Sequence, residues 1–130
     1  MKIHIPDLPD YSPYWKEGKL THAILNKEFV FYLTIKGRIR RFVIPTGFTW
    51  DGNSIPKLFW MFTGTPWAMD LLCAGLIHDW LYRTGKVTRQ LADQIHRHVM
   101  RSHGVGAYRS GKMHLALRCV GWIAWKQHRN

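Results

Sequence analysis

The sequence lacks the residues and spacings that identify several common classes of protein. Its 130 residues include two cysteines, Cys73 and Cys119. Both lie in apolar helical stretches, which predicts small buried side chains rather than a disulfide or a redox pair. The chain has no Cys/His zinc spacing, no phosphate-binding loop, no glycine-rich dinucleotide fingerprint and no serine elbow. The reaction classes that depend on those motifs are disfavoured.

Long apolar runs are also lacking. The longest, Leu71 to Ile77, is far too short to span a bilayer. The N-terminal residues lack the apolar core of a signal peptide. We therefore expect no transmembrane segment, no signal peptide and a protein that is soluble where it is made.

Acidic residues are scarce, and most of the chain's excess positive charge lies in its C-terminal part. Eight Asp and Glu stand against nineteen Lys and Arg, for a formal net charge of +11. Residues 83–130 hold ten of the basic residues and only one carboxylate, Asp93. Five histidines in the same part add positive charge below about pH 6.5. Such a field attracts an anionic surface, whether lipid, acidic polymer or DNA, and a merely solvated basic face stays an open alternative.

The patterns that are present predict one domain of class α+β, residues 1–130, with a core that needs no metal or disulfide. Residues 6–19, which include three prolines, are expected to form a loop. Runs of β-branched and aromatic residues predict strands at residues 20–25, 29–35 and 39–44. Capping and breaking residues predict three to four helices, at about residues 56–62, 67–82, 89–102 and 107–126. The prediction is a small antiparallel sheet in the N-terminal third, followed by a helical cluster.

The last predicted helix is apolar on two sides. One stripe at helical spacing comprises Met113, Ala116, Leu117, Val120, Ile123 and Ala124. On the far side, Leu115, Cys119 and Trp122 form a second apolar face that needs a cover. The sheet, a neighbouring subunit or a membrane surface would each supply one, and packing in the core is the simplest of these alternatives.

A histidine and two carboxylates mark the place where chemistry is expected. His78 and Asp79 close an apolar helical stretch that should be buried, and a buried imidazole or carboxylate is costly unless it is paired or binds a cation. In an antiparallel helix hairpin, His78 would precede the turn by about five residues and Asp93 would follow it by about five. The two then lie within hydrogen-bonding reach. Gly75, one turn before His78, leaves room for a ligand or for a neighbouring backbone.

Three roles follow if this cluster is catalytic. His78 would activate a water molecule, Asp93 would fix the tautomer of the imidazole, and Asp79 would bind a hard cation. The cation expected is Ca²⁺, helped by oxygens of the loop at residues 47–54, including Asp51.

Other residues are expected in supporting positions. In the loop, Gly52 completes a turn-forming Asp-Gly pair, and Ser54 caps the short helix that follows. The alternative to catalysis is a buried polar network that locks the helices to the loop, with Tyr82 and Arg89 completing its hydrogen bonds. A ligand pocket without chemistry also stays open.

These motifs resemble a phage and prophage family known as domain of unknown function 1353. The matching residues are Gly47-Phe48, Asp51-Gly52, Ser54-Ile55-Pro56, His78-Asp79, Leu81-Tyr82, Arg89, Ala92-Asp93 and Gly104-Val105. The resemblance covers about residues 20–125, with Trp50 and Asn53 in place of the family's usual Thr and Ala. It implies an origin near phage tail or lysis genes, synthesis in the host cytoplasm, and tail proteins or the virion as partners. It implies no particular activity.

The helix pair is also similar to the catalytic helices of secreted phospholipases A2. In that family a His and a distant Asp form a dyad, and the Asp next to the His binds calcium. The similarity implies catalytic roles for His78, Asp93 and Tyr82 and a metal-binding role for Asp79. The half-cystines that flank the family's motif and its Cys-rich calcium loop are missing here.

Three functions therefore remain open. The first is a phage-encoded accessory protein that acts as a Ca²⁺-dependent esterase or phospholipase-like hydrolase at an anionic envelope surface. The second is a non-enzymatic virion or tail-assembly component. The third is nucleic-acid binding through residues 83–130, which predicts salt-dependent retention on DNA.

Overall fold

The computed structural model describes residues 1–50 and 71–129, apart from the side chains of residues 19–21. The chain divides into two compact units, residues 1–51 and 52–130, and the single-domain expectation stays a prediction. The strands are β1 (Lys2–His4), β2 (Tyr11–Lys16), β3 (Lys19–Leu25), β4 (Phe29–Ile35), β5 (Arg38–Ile44) and β6 (Thr49–Trp50). The helices are α1 (Leu72–Thr84), α2 (Arg89–Ser102) and α3 (Ala107–Gln127). The predicted α+β class, with antiparallel strands before helices, is confirmed.

The strands of the first unit form two antiparallel sheets of three strands each, in the orders β1-β4-β5 and β2-β3-β6. Alternate residues of β4 are buried, so Phe29, Phe31 and Leu33 share one face, as the two-residue period of a strand requires. Phe31 stacks on its cross-strand partner Phe42, with ring centroids 5.0 Å apart. Aromatic packing thus forms the core of the first sheet.

The prediction of a loop over residues 6–19 is wrong. Residues Tyr11–Lys16 form strand β2, which pairs antiparallel with β3. Glu17 and Gly18 connect the two strands with φ angles of 53° and 76°, and two positive values are typical of a tight type I′ hairpin turn. Pro13 argued against a strand, but β2 lies at the edge of its sheet. At an edge, a missing N–H need not cost a ladder hydrogen bond.

The helix boundaries follow the signals in the sequence. Gly85 ends α1 in the left-handed region, with φ 65°, and its N–H donates to the carbonyl oxygen of Leu81. Thr88 caps α2, and its Oγ1 accepts a hydrogen bond of 3.2 Å from the N–H of Leu91. The expected helix at residues 56–62 and the first residues of the one expected at 67–82 lie outside the described residues.

Helix α3 buries only part of its predicted stripe. Met113, Ala116 and Leu117 are buried, but Ile123 is 49% exposed. Both cysteines were expected to be buried. Cys73 is buried, but the prediction is wrong for Cys119, which is exposed on α3. Among the described helices, none combines the length and apolar character needed to cross a membrane.

Candidate active site

The hairpin of α1 and α2 brings the expected pair of side chains together. Nε2 of His78 lies 2.8 Å from Oδ1 of Asp93. Both side chains are buried, with exposed fractions of 1% and 0%. A carboxylate only accepts hydrogen bonds, so Nε2 carries the proton of this bond, and Nδ1 is the basic nitrogen of the neutral ring.

Asp93 is the centre of a larger network. Tyr82 donates its hydroxyl to Oδ1 at 2.6 Å, and Nη1 of Arg118 in α3 donates to Oδ2 at 2.7 Å. Burial alone would raise the pKa of Asp93, but its hydrogen-bond donors, His78 foremost, outweigh burial and lower that pKa below its usual value. Asp93 is therefore a charged carboxylate at neutral pH.

Two arginines connect α3 to this carboxylate. Arg118 contacts Oδ2 of Asp93 directly, and Nη1 of Arg89 lies 3.6 Å from the same oxygen. Arg89 also donates to the carbonyl oxygens of Leu117 at 3.0 Å and Arg118 at 3.4 Å. The sequence predicted a place for Arg89 in this network, but not for Arg118. A signal was present, because Asp93 is the one carboxylate among the ten basic residues of 83–130.

Tyr82 is held between the dyad and α3. Its ring lies 4.0 Å from the ring of His78 and 5.3 Å, edge-on, from that of Trp125, measured between centroids. Burial raises the pKa of Tyr82 well above its usual value, and the neighbouring Asp93 carboxylate raises it further. The hydroxyl therefore stays protonated, so that it remains a donor to Asp93.

Replacing Gly121 of α3 with alanine is expected to lower the free energy of unfolding by about 1–3 kcal/mol. A Cβ at this position would lie 2.6 Å from the hydroxyl oxygen of Tyr82, whose ring is buried and cannot easily move. Gly111→Ala on the same helix is the control, because its nearest contact would be 3.9 Å away, at Arg97. Urea unfolding should show no loss for the control, since alanine favours helix. Equal losses in both variants would contradict the close packing at Gly121.

A second imidazole lies beside the dyad. The ring of His96 is 4.9 Å from that of His78, edge-on. Burial lowers the pKa of His96 well below its usual value, and His78 and His114 lower it further, against the opposing effect of Asp93. Nδ1 of His96 has no hydrogen-bond partner within the described part of the chain. From the sequence, His96 was only one of the five histidines of residues 83–130, and its place beside the dyad was not predicted.

Folding stability is expected to fall as the pH drops below about 6.5. Because the pKa of His96 is lower in the folded protein, the unfolded chain binds the proton first, and stability decreases by up to about 1.4 kcal/mol per pH unit. His96→Met should flatten the pH dependence of the melting temperature between about pH 7 and pH 5. His103→Met is the control. The lowered pKa of Asp93 acts only below about pH 4. An unchanged pH dependence in His96→Met would contradict this assignment.

The expected metal ligands are described only in part. Asp79 is 5% exposed and follows His78 directly, and Gly75 is half-buried on the same helix. Three other expected site residues lie outside the described residues, namely Asp51, Gly52 and Ser54. Within residues 1–50 and 71–129, no group of three or more His, Cys, Asp or Glu side chains is placed to hold a metal ion. The calcium site therefore stays a prediction.

Comparison with known proteins identifies a family that matches this chain. The family model described as "Protein of unknown function (DUF1353)" matches residues 24–117. The chain is also 33% identical over 78 residues to "Uncharacterized protein y4jT" of Sinorhizobium fredii (strain NBRC 101917 / NGR234), an alignment that covers 60% of this chain and 23% of that protein. The chain thus spans less than a quarter of this relative's length. No solved structure matches. Because the family model matches most of the chain, including both residues of the His78–Asp93 pair, the chain belongs to the DUF1353 family.

Proposed function

We propose that the protein is a phage or prophage accessory hydrolase of carboxylic esters, made in the host cytoplasm and acting at an anionic envelope surface. The observation that carries the proposal is the buried hydrogen bond of 2.8 Å between Nε2 of His78 and Oδ1 of Asp93. A charged Asp93 keeps the proton on Nε2 and leaves the lone pair on Nδ1. A general base needs such a lone pair on a ring of fixed orientation.

The proposed reaction uses water as the nucleophile. Nδ1 of His78 removes a proton from water while the water oxygen bonds to the ester carbonyl carbon, and Asp93 stabilises the imidazolium that forms. The bond between the carbonyl carbon and the alkoxy oxygen then breaks, and the proton passes from His78 to the leaving alkoxide. The neutral imidazole is restored. Tyr82 stays a proton donor to Asp93 throughout and positions that carboxylate.

We propose Ca²⁺ as the cofactor, with Asp79 and Asp51 among its ligands. When bound, the ion would polarise the ester carbonyl. The support is the position of Asp79, a buried carboxylate that directly follows the base. Calcium takes about six to eight oxygen ligands, so residues 51–70, water and substrate would have to supply most of them.

Release of free acid from defined esters tests this proposal. The purified protein is incubated with phosphatidylglycerol, phosphatidylcholine and short-chain esters, in Ca²⁺ or in EDTA. We expect release in Ca²⁺ and none in EDTA. Asp79→Asn should raise the Ca²⁺ concentration required, whereas Asp7→Asn, at an exposed position, should not. Absence of release from every substrate would contradict the hydrolase. Release that EDTA leaves unchanged would remove Ca²⁺ from the proposal.

A non-enzymatic virion or tail-assembly component is the second candidate, and the burial of the dyad favours it. With His78 1% exposed and Asp93 0% exposed, the same network would hold the three helices together without any chemistry. A hydrolase has to move the groups that cover His78 to admit substrate. Mass spectrometry of purified phage particles separates the two candidates. Absence from the particle contradicts the structural role, and presence without ester hydrolysis contradicts the enzyme.

A further inference from the structure

One side of α3 presents aromatic, aliphatic and lysine side chains to solvent. Six residues, spaced alternately four and three apart, form what we call the outer face of α3: Tyr108, Lys112, Leu115, Cys119, Trp122 and Lys126. Tyr108 is 79% exposed, Leu115 64% and Trp122 51%. At 3.6 residues per turn the six occupy a sector of about 80°, and the stretch from Tyr108 to Trp122 is about 21 Å long.

The lysines of the outer face lie beside its aromatic rings. Nζ of Lys112 is 4.5 Å from the ring centroid of Tyr108, and Nζ of Lys126 is 5.9 Å from that of Trp122. Residues 94–130 contain no Asp or Glu, so α3 has no carboxylate of its own to neutralise these charges. Tyr and Trp rings favour the boundary between water and hydrocarbon, and lysine can place its stem in the apolar layer and its ammonium among anionic headgroups.

We propose that the outer face of α3 binds an anionic lipid bilayer, with the helix lying along the surface. The inference deepens the proposed function and rests on it, because it names the surface at which the ester substrate would be met. Charge disfavours a second copy of the chain as the partner of this face, because two such faces would place lysines opposite lysines. The composition disfavours nucleic acid, since Leu115 and Cys119 at the centre offer phosphate groups no strong hydrogen-bond donor.

Other sides of the same helix contact the dyad and its arginines. Arg118 donates to Asp93, and the carbonyl oxygens of Leu117 and Arg118 accept hydrogen bonds from Arg89. A bilayer that binds the outer face of α3 is therefore one helix diameter, roughly 10 Å, from the helix hairpin of His78 and Asp93. Binding itself requires no turnover, so it can be measured separately from hydrolysis.

Flotation of the full chain with lipid vesicles tests the proposal. Vesicles of phosphatidylglycerol and phosphatidylcholine should bind the protein, and pure phosphatidylcholine vesicles should bind it far more weakly. Leu115→Gln with Trp122→Gln should weaken binding by about tenfold or more. The matched control is Trp15→Gln with Ile39→Gln, two side chains of the first unit that are 65% and 70% exposed. The control should bind within about twofold of the unmodified protein.

A second pair of variants tests the contribution of the lysine charges to binding. Lys112→Gln with Lys126→Gln should weaken binding to the anionic vesicles by about 30-fold at low salt. The control, Lys2→Gln with Lys27→Gln, removes the same charge from exposed positions of the first unit and should have little effect. All these positions are at least partly exposed, and circular dichroism should show the variants folded.

Several results would overturn the inference. Equal binding to neutral and anionic vesicles, or normal binding by the outer-face variants, would do so. So would a dimer, measured by sedimentation, that dissociates in the variant Leu115→Gln with Trp122→Gln. The last such result is DNA binding through these residues without vesicle binding. His78→Gln should bind vesicles normally. Vesicle binding without hydrolysis would contradict the proposed function alone, whereas hydrolysis without vesicle binding would contradict this inference alone.

Discussion

His78→Gln is expected to lower kcat for ester hydrolysis by about 10²- to 10⁴-fold while the protein stays folded. The glutamine amide can still donate a hydrogen bond to Asp93, so the buried carboxylate keeps a partner. It has no basic nitrogen, and so it cannot take a proton from water. The measurement is the initial rate of acid release at saturating substrate, beside the melting temperature of the same preparation.

The control for His78→Gln is the same substitution at His98. This residue lies on α2 and is half-buried, and it has no place in the proposed reaction. Its kcat should stay within about twofold of that of the unmodified protein. Turnover that survives His78→Gln would remove His78 from the mechanism. Loss of turnover in both variants would point to a general loss of structure instead.

Asp93→Ala is expected to lower the free energy of unfolding by about 3–5 kcal/mol. The substitution leaves the buried Nε2–H of His78, the hydroxyl of Tyr82 and the guanidinium of Arg118 without their shared acceptor. Leaving buried donors and a charge unpaired is costly. Small domains are stable by only about 5–15 kcal/mol, so the loss should be evident as a large shift in the urea midpoint.

Asp93→Asn separates the effect of the charge of Asp93 from that of its shape, and Asp7→Ala is the control. Asp93→Asn keeps an acceptor but loses the charge opposite Arg118, and its loss of stability should lie between those of Asp93→Ala and the unmodified protein. Asp7→Ala removes an exposed carboxylate and should change stability by less than about 0.5 kcal/mol. If Asp93→Ala unfolds at the same urea concentration as Asp7→Ala, Asp93 is not the centre of the network.

The approach of His78 to Asp93 was predictable because helix geometry is regular. A turn that begins near Gly85 and ends at the Thr88 cap places residues about equally far from it at similar heights along the two helices. The first and last residues of α2 were predictable for the same local reason. Both inferences use only the rise per residue and the chemistry of helix ends, and neither needs a long-range contact.

The rest of the site depends on contacts that no local pattern encodes. Arg118 lies 25 residues from Asp93, on a third helix, and its partner follows only from how α3 packs. His96 was within reach of a local argument, because it is three residues after Asp93 and shares its face of α2. Strand β2 was missed because Pro13 argues against a strand when its place at a sheet edge is unknown.

The position of the proton on the imidazole of His78 tests the proposed general base most directly. Long-range ¹⁵N–¹H correlation spectra of the protein labelled on its histidines distinguish the two neutral tautomers, and His78→Gln assigns the signal. We predict a proton on Nε2, bound to the charged Asp93, and no proton on Nδ1. A neutral ring with its proton on Nδ1 would turn the only lone pair toward Asp93, and the general base proposed for this site would not exist.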